Sequence, residues 1–210
     1  MNSWNLIGLL AWVILIAYLI FIVWHIRQRH IKAIVKSGKQ VRGSVVLIDI
    51  AEVLVFAIAA IGMVWVSWLR PIDYRDSRAV AISHSAEHLI LQTGEDHSFY
   101  VRVQTGNGKN PTLYYTYWTN GAKYENTSHN AEVSAGTQPL TPRAAGYPWS
   151  KKDLKKLDQT ADQAYVATVT ARYKPGFLSG LGMHVGNIAD RFSILRVPND
   201  TFVEIDPVKD

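Results

Sequence analysis

The sequence predicts an α+β protein: two N-terminal transmembrane helices followed by an extracytoplasmic, mainly antiparallel β domain with one amphipathic helix. Three observations predict it. Two long apolar runs fall within residues 1–70. The whole formal charge of +5 belongs to that same stretch. From about residue 87 onward, period-2 alternation and turn residues replace the apolar runs.

The charge division is sharp. Residues 1–70 carry Arg27, Arg29, Lys32, Lys36, Lys39, Arg42 and Arg70 against Asp49 and Glu52, whereas residues 71–210 balance their Lys and Arg with equal numbers of Asp and Glu. A pI near 9.4 therefore describes the membrane third and not a basic face on the β domain, and no nucleic acid is expected as a partner. The chain has no cysteine. That excludes disulfides, thiolate metal sites and a cysteine nucleophile, and it suits a bacterial surface better than a eukaryotic secretory one.

The first run, Trp4–Trp24, holds no charged side chain. At about 1.5 Å per helical residue it spans the ~30 Å hydrocarbon core. The second, Ile50–Leu69, is interrupted only by Glu52. Trp4 and Trp24 bracket the first run, and Trp65 and Trp68 close the second, as interface anchors do. The linker, residues 27–43, is basic and free of acid, while Met1–Trp4 has no basic side chain. The positive-inside bias then puts the linker in the cytoplasm and both the N-terminus and residues 71–210 outside. A cleavable signal peptide is not expected, because the positive charge follows the apolar run. Ile26, Ile31, Ile34 and Val35 could lay a short apolar face on lipid, but fixing topology is the simpler role for this linker. The chain divides into a two-helix hairpin, 1–70, and a β-rich domain, 71–210.

Asp49 is expected at the cytoplasmic interface and Glu52 one turn deeper, near the start of the second run, where a lone charge costs up to about 3 kcal/mol. His25 or Arg27, at the same depth on the first helix, is the expected partner of Glu52. Two helices with one deep acid make a poor transporter, so a helix-pairing contact is preferred to a proton relay.

In the β domain, Arg70–Pro71 ends the second span and 73–78 forms a spacer. Strands are expected at 87–92, at 97–104 with Phe99, Val101 and Val103 on one side, at 112–119, and at 122–126 after the hairpin signal Asn120-Gly121. Turns fall at 93–96 and 106–108. Residues 127–148 read as a long loop with a short strand near Glu132. Ser150 caps a helix with Asp153 at N3 and Trp149 and Leu154 as staple; Leu154, Leu157 and Ala161 share one face and lysines cover the other. A strand follows at 164–173, and 191–197 with 201–205 form a last hairpin around Pro198-Asn199-Asp200. About 140 residues bury nearly 70% of their unfolded surface, enough to fold without disulfides.

No catalytic residue, cofactor or metal is expected. His84-Ser85-Ala86-Glu87-His88 matches H-x-x-E-H, but that chemistry needs both histidines on one helix face, and here a strand pattern surrounds them. His84, His88, His97 and His129 lack metal-ligand spacing. Gly180–Gly186 misses the dinucleotide-loop spacing. Two surfaces are candidates for interaction. Tyr114, Tyr115, Tyr117 and Trp118 make a strand aromatic on both faces, of which one could stack on sugars or on another protein, against plain cross-strand packing. Phe177, Leu178, Leu181 and Met183 lie in a glycine-rich apolar loop, 175–186. It could dip into the outer leaflet or receive a partner, and plugging its own core is the preferred role.

The start MNSWNLIGLLAWVILIAYL and the linker RQRHIKAIVKSGKQVRG resemble those of uncharacterised two-span membrane proteins of lactobacilli and related Gram-positive bacteria. The resemblance implies a Gram-positive cell membrane and no particular activity. The expected function is a non-enzymatic, membrane-anchored module that binds an envelope component or a membrane or envelope protein. The alternatives are a membrane-proximal enzyme acting on cell-wall or lipid-linked substrate, with His84, Glu87 and His88 as its candidates, and an accessory or sensor subunit docking through Glu52.

Overall fold

The computed structural model describes residues 2–37, 43–74, 76–94, 97–107, 111–136, 138–159 and 164–206. Lys39 and Arg42 of the basic linker, Arg75 of the spacer, Glu95, Asp96 and Gly108 of the turns, and Ala161 of the amphipathic face lie outside the described residues. In chain order the elements are α1 (Asn5–Ser37), α2 (Gly43–Val64) continued by a π-helical turn (Trp65–Leu69), β1 (Val80–His88), β2 (Gln92–Thr93), β3 (Ser98–Phe99), β4 (Val101–Thr105), β5 (Leu113–Thr119), β6 (Ala122–Thr127), β7 (Ala131–Ala135), α3 (Pro142–Ala145), α4 (Lys151–Gln159), β8 (Tyr165–Tyr173), α5 (Phe177–Leu181), β9 (Ile188–Val197), a 3₁₀ turn (Asp200–Phe202) and β10 (Val203–Asp206). The chain is α+β with mainly antiparallel sheets.

It forms two compact units, Met1–Val80 with Tyr173–Asn187, and Ala81–Arg172 with Ile188–Asp210. Residues 173–187 group with the two helices rather than with the sheets.

In the first unit, α1 runs far past Trp24, so Arg27, Arg29, Lys32 and Lys36 belong to a helix rather than to a flexible linker. α1 and α2 are antiparallel neighbours, Trp12 packing on Trp68 at one end (ring centroids 5.8 Å apart) and His25 meeting Glu52 further along. Both are long and apolar enough to cross a membrane. Their outward faces are the apolar ones: Leu10, Ile20, Val23, Ile58 and Ile61 are all more than 60% exposed, while among the described residues the buried apolar side chains of this helix pair are Leu15, Ile22, Met63 and Val66. A water-soluble helix pair distributes its residues the other way.

In the second unit two four-stranded sheets, ordered β1-β8-β9-β7 and β10-β4-β5-β6, face each other, and β2-β3 forms a small ribbon. Val101, Val103, Tyr115 and Tyr117 from one sheet and Val166, Leu195, Val197, Ala131 and Ala135 from the other share one core. β8 is buried on both faces. Its inner side joins that core, and on the outer face of the same sheet Phe192 and Ile194 of β9 are covered by Leu140, Ala144, Tyr147 and Trp149. The Asn120-Gly121 turn forms as expected, both residues at positive φ (45° and 78°). Ser150 caps α4, accepting from the Asp153 amide at 3.4 Å.

Other expectations are corrected. The strand placed at 87–92 is instead β1, ending at His88, and 97–104 breaks at Tyr100 into β3 and β4. The last hairpin does not form. β9 pairs with β8 and, in parallel, with β7, whereas β10 crosses to the other sheet and pairs in parallel with β4, Val203 opposite Val101. The 3₁₀ turn redirects the chain between them, opened by Asn199 accepting from the Thr201 amide.

Candidate functional site

Two arrangements of polar side chains stand out, one in each unit. The first lies between the long helices. Arg29 reaches across to α2, its guanidinium donating to Asp49 Oδ1 at 2.6 Å and to Glu52 Oε1 at 2.5 Å. His30 Nε2 lies 2.6 Å from Asp49 Oδ2, and His25 Nδ1 lies 3.0 Å from Arg29 and 3.2 Å from Glu52. One guanidinium thus sits between two carboxylates, with an imidazole flanking each. The carboxylate side chains are only 12% and 19% exposed, so their desolvation makes the ionic partner obligatory. His25 and Glu52 are brought together as expected, but the basic partner is Arg29, and Arg27 is exposed and points elsewhere. Helix geometry explains this correction. Residues four apart share a face, so His25 and Arg29 look the same way, as do Asp49 and Glu52 three apart, whereas Arg27 is rotated by about 200° from His25. Face as well as depth selects the partner. The cluster engages Glu52 within the chain.

The second arrangement is the outer face of sheet β10-β4-β5-β6. An open groove of ≈ 690 Å³ is lined by Arg102, Gln104, Thr105, Gly106, Asn107, Tyr114 and Asp206. The parallel pairing of β10 on β4 sets Glu204 beside Arg102 and Asp206 beside Gln104. Arg102 lies 3.4 Å from Glu204 and over the Phe99 ring at 4.9 Å, and Gln104 donates to Asp206 at 2.8 Å. The groove therefore offers a cation, a carboxylate, two amides and one aromatic ring, with Gln104 and Asp206 held by each other.

The aromatic strand divides between the two faces. Tyr115 and Tyr117 are core residues, not a surface platform. Burial raises both phenol pKa values above the usual range, a shift that Asn126, donating to the Tyr117 hydroxyl at 2.9 Å, partly opposes at Tyr117. Trp118 is half-buried and packs edge-on against Phe99. Tyr114 is the member left exposed, in the groove.

The H-x-x-E-H residues lie on strand β1, and period-2 alternation splits them. His84 lines a cleft of ≈ 190 Å³ under Trp149, Asp153, Leu154 and Leu157, its Nε2 2.8 Å from the Pro148 carbonyl, while Glu87 lines a different, smaller cleft with Tyr117, Tyr124 and Arg191. The motif does not assemble. Among the described residues, no group of three His, Asp or Glu side chains is placed to hold a metal ion.

Phe177, Leu178, Leu181 and Met183 belong to the helical unit. Leu181 and Met183 pack on Gly8 of α1, and Phe177 and Leu178 are exposed. Of the four tryptophans expected as interface anchors, Trp4, Trp65 and Trp68 lie at the same end of the helix pair and Trp24 lies toward the basic end; all four are exposed. Sequence reading missed Arg29, His30, Arg102, Gln104 and Asp206. Helical spacing from His25 carries a signal for Arg29. None exists for the groove, which depends on a long-range parallel pairing.

No curated protein and no solved structure matches the chain. Residues 3–204, nearly the whole length, match an uncharacterised family named after a Lactobacillus locus, and the chain belongs to that family.

Proposed function

We propose that this protein is a two-pass anchor of the cell membrane whose β-sandwich domain, outside the membrane, binds a polar component of the envelope. α1 and α2 serve as the membrane spans. Their outward apolar faces support this, and the basic stretch from Arg27 to Lys36 supports a cytoplasmic position for the turn between them. The Arg29 cluster joins the spans to each other, since interhelical polar contacts replace the hydrophobic drive that lipid does not supply.

The single observation that carries the binding role is the groove around Tyr114, with Arg102, Gln104 and Asp206 at its walls. An aromatic face beside several convergent donors and acceptors suits a polyhydroxylated polymer strand, stacking on the ring and hydrogen-bonding to the walls.

The test is cosedimentation of the full chain, in lipid nanodiscs, with protease-treated cell walls from a lactobacillus. Retention is expected, reduced about tenfold, or ~1.4 kcal/mol, by Tyr114→Ala and by Arg102→Ala. Wild-type protein that stays in the supernatant, or variants that sediment like wild type, would overturn the reading. Sidedness is checked separately with an impermeant maleimide on intact cells: Lys123→Cys reacts and Lys32→Cys does not.

A further inference from the structure

The segment from Pro175 to Asn187 contains no Asp, Glu, Lys or Arg, and it is built onto the helix pair at backbone distance. A Cβ on Gly8 would stand 2.7 Å from the Gly180 carbonyl oxygen and nearer still to that of Leu181. One on Gly180 would stand 2.6 Å from the Trp4 carbonyl oxygen, and one on Gly182 2.9 Å from that of Val66. Only glycine permits this seating. Met183, held at a left-handed φ of 59° that its bulk disfavours, turns its side chain onto Gly8.

Polar contacts tie the segment to the helix pair. Asn5, buried in the first turn of α1, donates to the Val185 carbonyl at 3.3 Å and accepts from its amide at 3.1 Å. His184 Nε2 lies 2.9 Å from the Ser67 carbonyl, and its ring stacks on Tyr173. Non-helical backbone at membrane depth is tolerated only when its polar groups are met within the protein in this way. On α5 the exposed side chains are Phe177 and Leu178, at 63% and 43%. They lie at the end of the helix pair that carries Trp4, Trp65, Trp68 and Leu69. Gly8 is three residues inside Asn5, which places the Leu181 contact about 4.5 Å deeper along the helix axis.

We propose that α5 is a lipid-facing wedge: it lies in the headgroup–acyl boundary beside the ends of both spans, with Phe177 and Leu178 in the acyl chains, so that the occupant of this apolar face is the bilayer. The inference rests on α1 and α2 spanning the membrane, and continuity with those apolar helix surfaces selects lipid over a protein partner. A helix end fixed to a span at backbone distance cannot leave the interface that the span enters. Its apolar side chains then gain the burial that interfacial helices obtain some 5–10 Å below the headgroups.

The absence of cysteine makes the test clean. Single nitroxides are placed at Phe177→Cys and Leu178→Cys in the full chain in phosphatidylcholine–phosphatidylglycerol vesicles, with Val13→Cys on α1 as the membrane reference and Lys123→Cys on β6 as the water reference. Collision with oxygen and with a water-soluble nickel chelate is measured at each. The expected result is a several-fold higher oxygen-to-nickel ratio at 177 and 178 than at 123, approaching that at 13. If 177 and 178 meet nickel as freely as 123 while 13 stays shielded, the wedge is wrong and the spans stand. If 13 also meets nickel, the spanning reading falls and the wedge with it. If 177 and 178 are shielded from oxygen and nickel alike, protein covers this face and the wedge is wrong.

Discussion

Replacing Arg29 with methionine removes the only guanidinium between Asp49 and Glu52 while keeping an unbranched side chain of similar length. Two contacts of 2.6 and 2.5 Å are lost. At charge separations near 4 Å and an effective dielectric constant near 20, each pair is worth about 4 kcal/mol before desolvation. Most of that gain is offset by desolvation while the pairs are intact, but removing one partner strands the others, at a cost of about 3–5 kcal/mol. Arg29→Met should therefore destabilise the helix pair by about 3–5 kcal/mol, and Arg29→Met with Asp49→Asn and Glu52→Gln should recover most of the loss, because no charge is left unpaired. The assay is unfolding of the full chain in mixed dodecylmaltoside–dodecylsulfate micelles, read as the distance between spin labels at Leu19→Cys and Ile58→Cys, both on exposed faces. A single-variant loss below about 1 kcal/mol, or a triple variant less stable than the single one, would refute the claim that this network joins the two helices.

Gly8→Val should push the α5 segment off α1, since its side chain would collide with the Gly180 and Leu181 carbonyls; a cost of about 1–3 kcal/mol and faster hydrogen exchange at 177–185 are expected. Phe192→Ala empties a fully buried site where the ring stacks on Tyr147 at 4.3 Å and supports Trp149 and Arg143; thermal unfolding should report about 3–5 kcal/mol. Tyr165 is held protonated by burial and by donating to Asp158 at 2.5 Å, so its pKa rises above the ordinary 10 on folding. Above pH ~10 the unfolded chain has released a proton that the folded chain keeps, so stability is full below that pH and falls as pH rises. Tyr165→Phe should flatten the decline in denaturant midpoint between about pH 9.5 and 11, and an unchanged slope would count against this account.

What could be read in advance follows from how local each feature is. The two apolar helices were legible because composition over 20-odd residues is enough to place them. The Asn120-Gly121 turn was legible because two adjacent positive-φ residues are a property of that dipeptide. β8 was half legible: Tyr165, Ala167, Val169 and Ala171 do form one face, but Val166 and Thr168 are buried too, and a strand covered on both sides has no polar face to reveal it. β10 was misplaced because Pro198-Asn199-Asp200 looks like a hairpin turn locally, while its partner, β4, lies about a hundred residues earlier in the chain. The same distance hid the groove, since Asp206 meets Gln104 only through that pairing. Arg29 was hidden by a smaller error, in which depth along the helix was weighed and angle around it was not.

The two ends of the helix pair are joined by different physics. If the two apolar helices span a bilayer, as proposed, lipid gives them no hydrophobic reason to associate, and pairing then comes from polar contacts or from close packing. At the basic end it comes from charge, through Arg29, Asp49 and Glu52. At the Trp4 end it comes from Gly8, Gly180 and Gly182, each at a point of backbone approach, and from Asn5 standing in for a strand partner to Val185. Between them only a thin apolar seam, Leu15 and Ile22, is buried on α1. Gly8 and Arg29 are separated by roughly 30 Å along α1 at about 1.5 Å per residue. Sites so far apart and without shared partners act independently, so the losses in Gly8→Val and Arg29→Met should sum in the double variant. A shortfall would mean that the helices pair through one continuous interface and not at two separate ends.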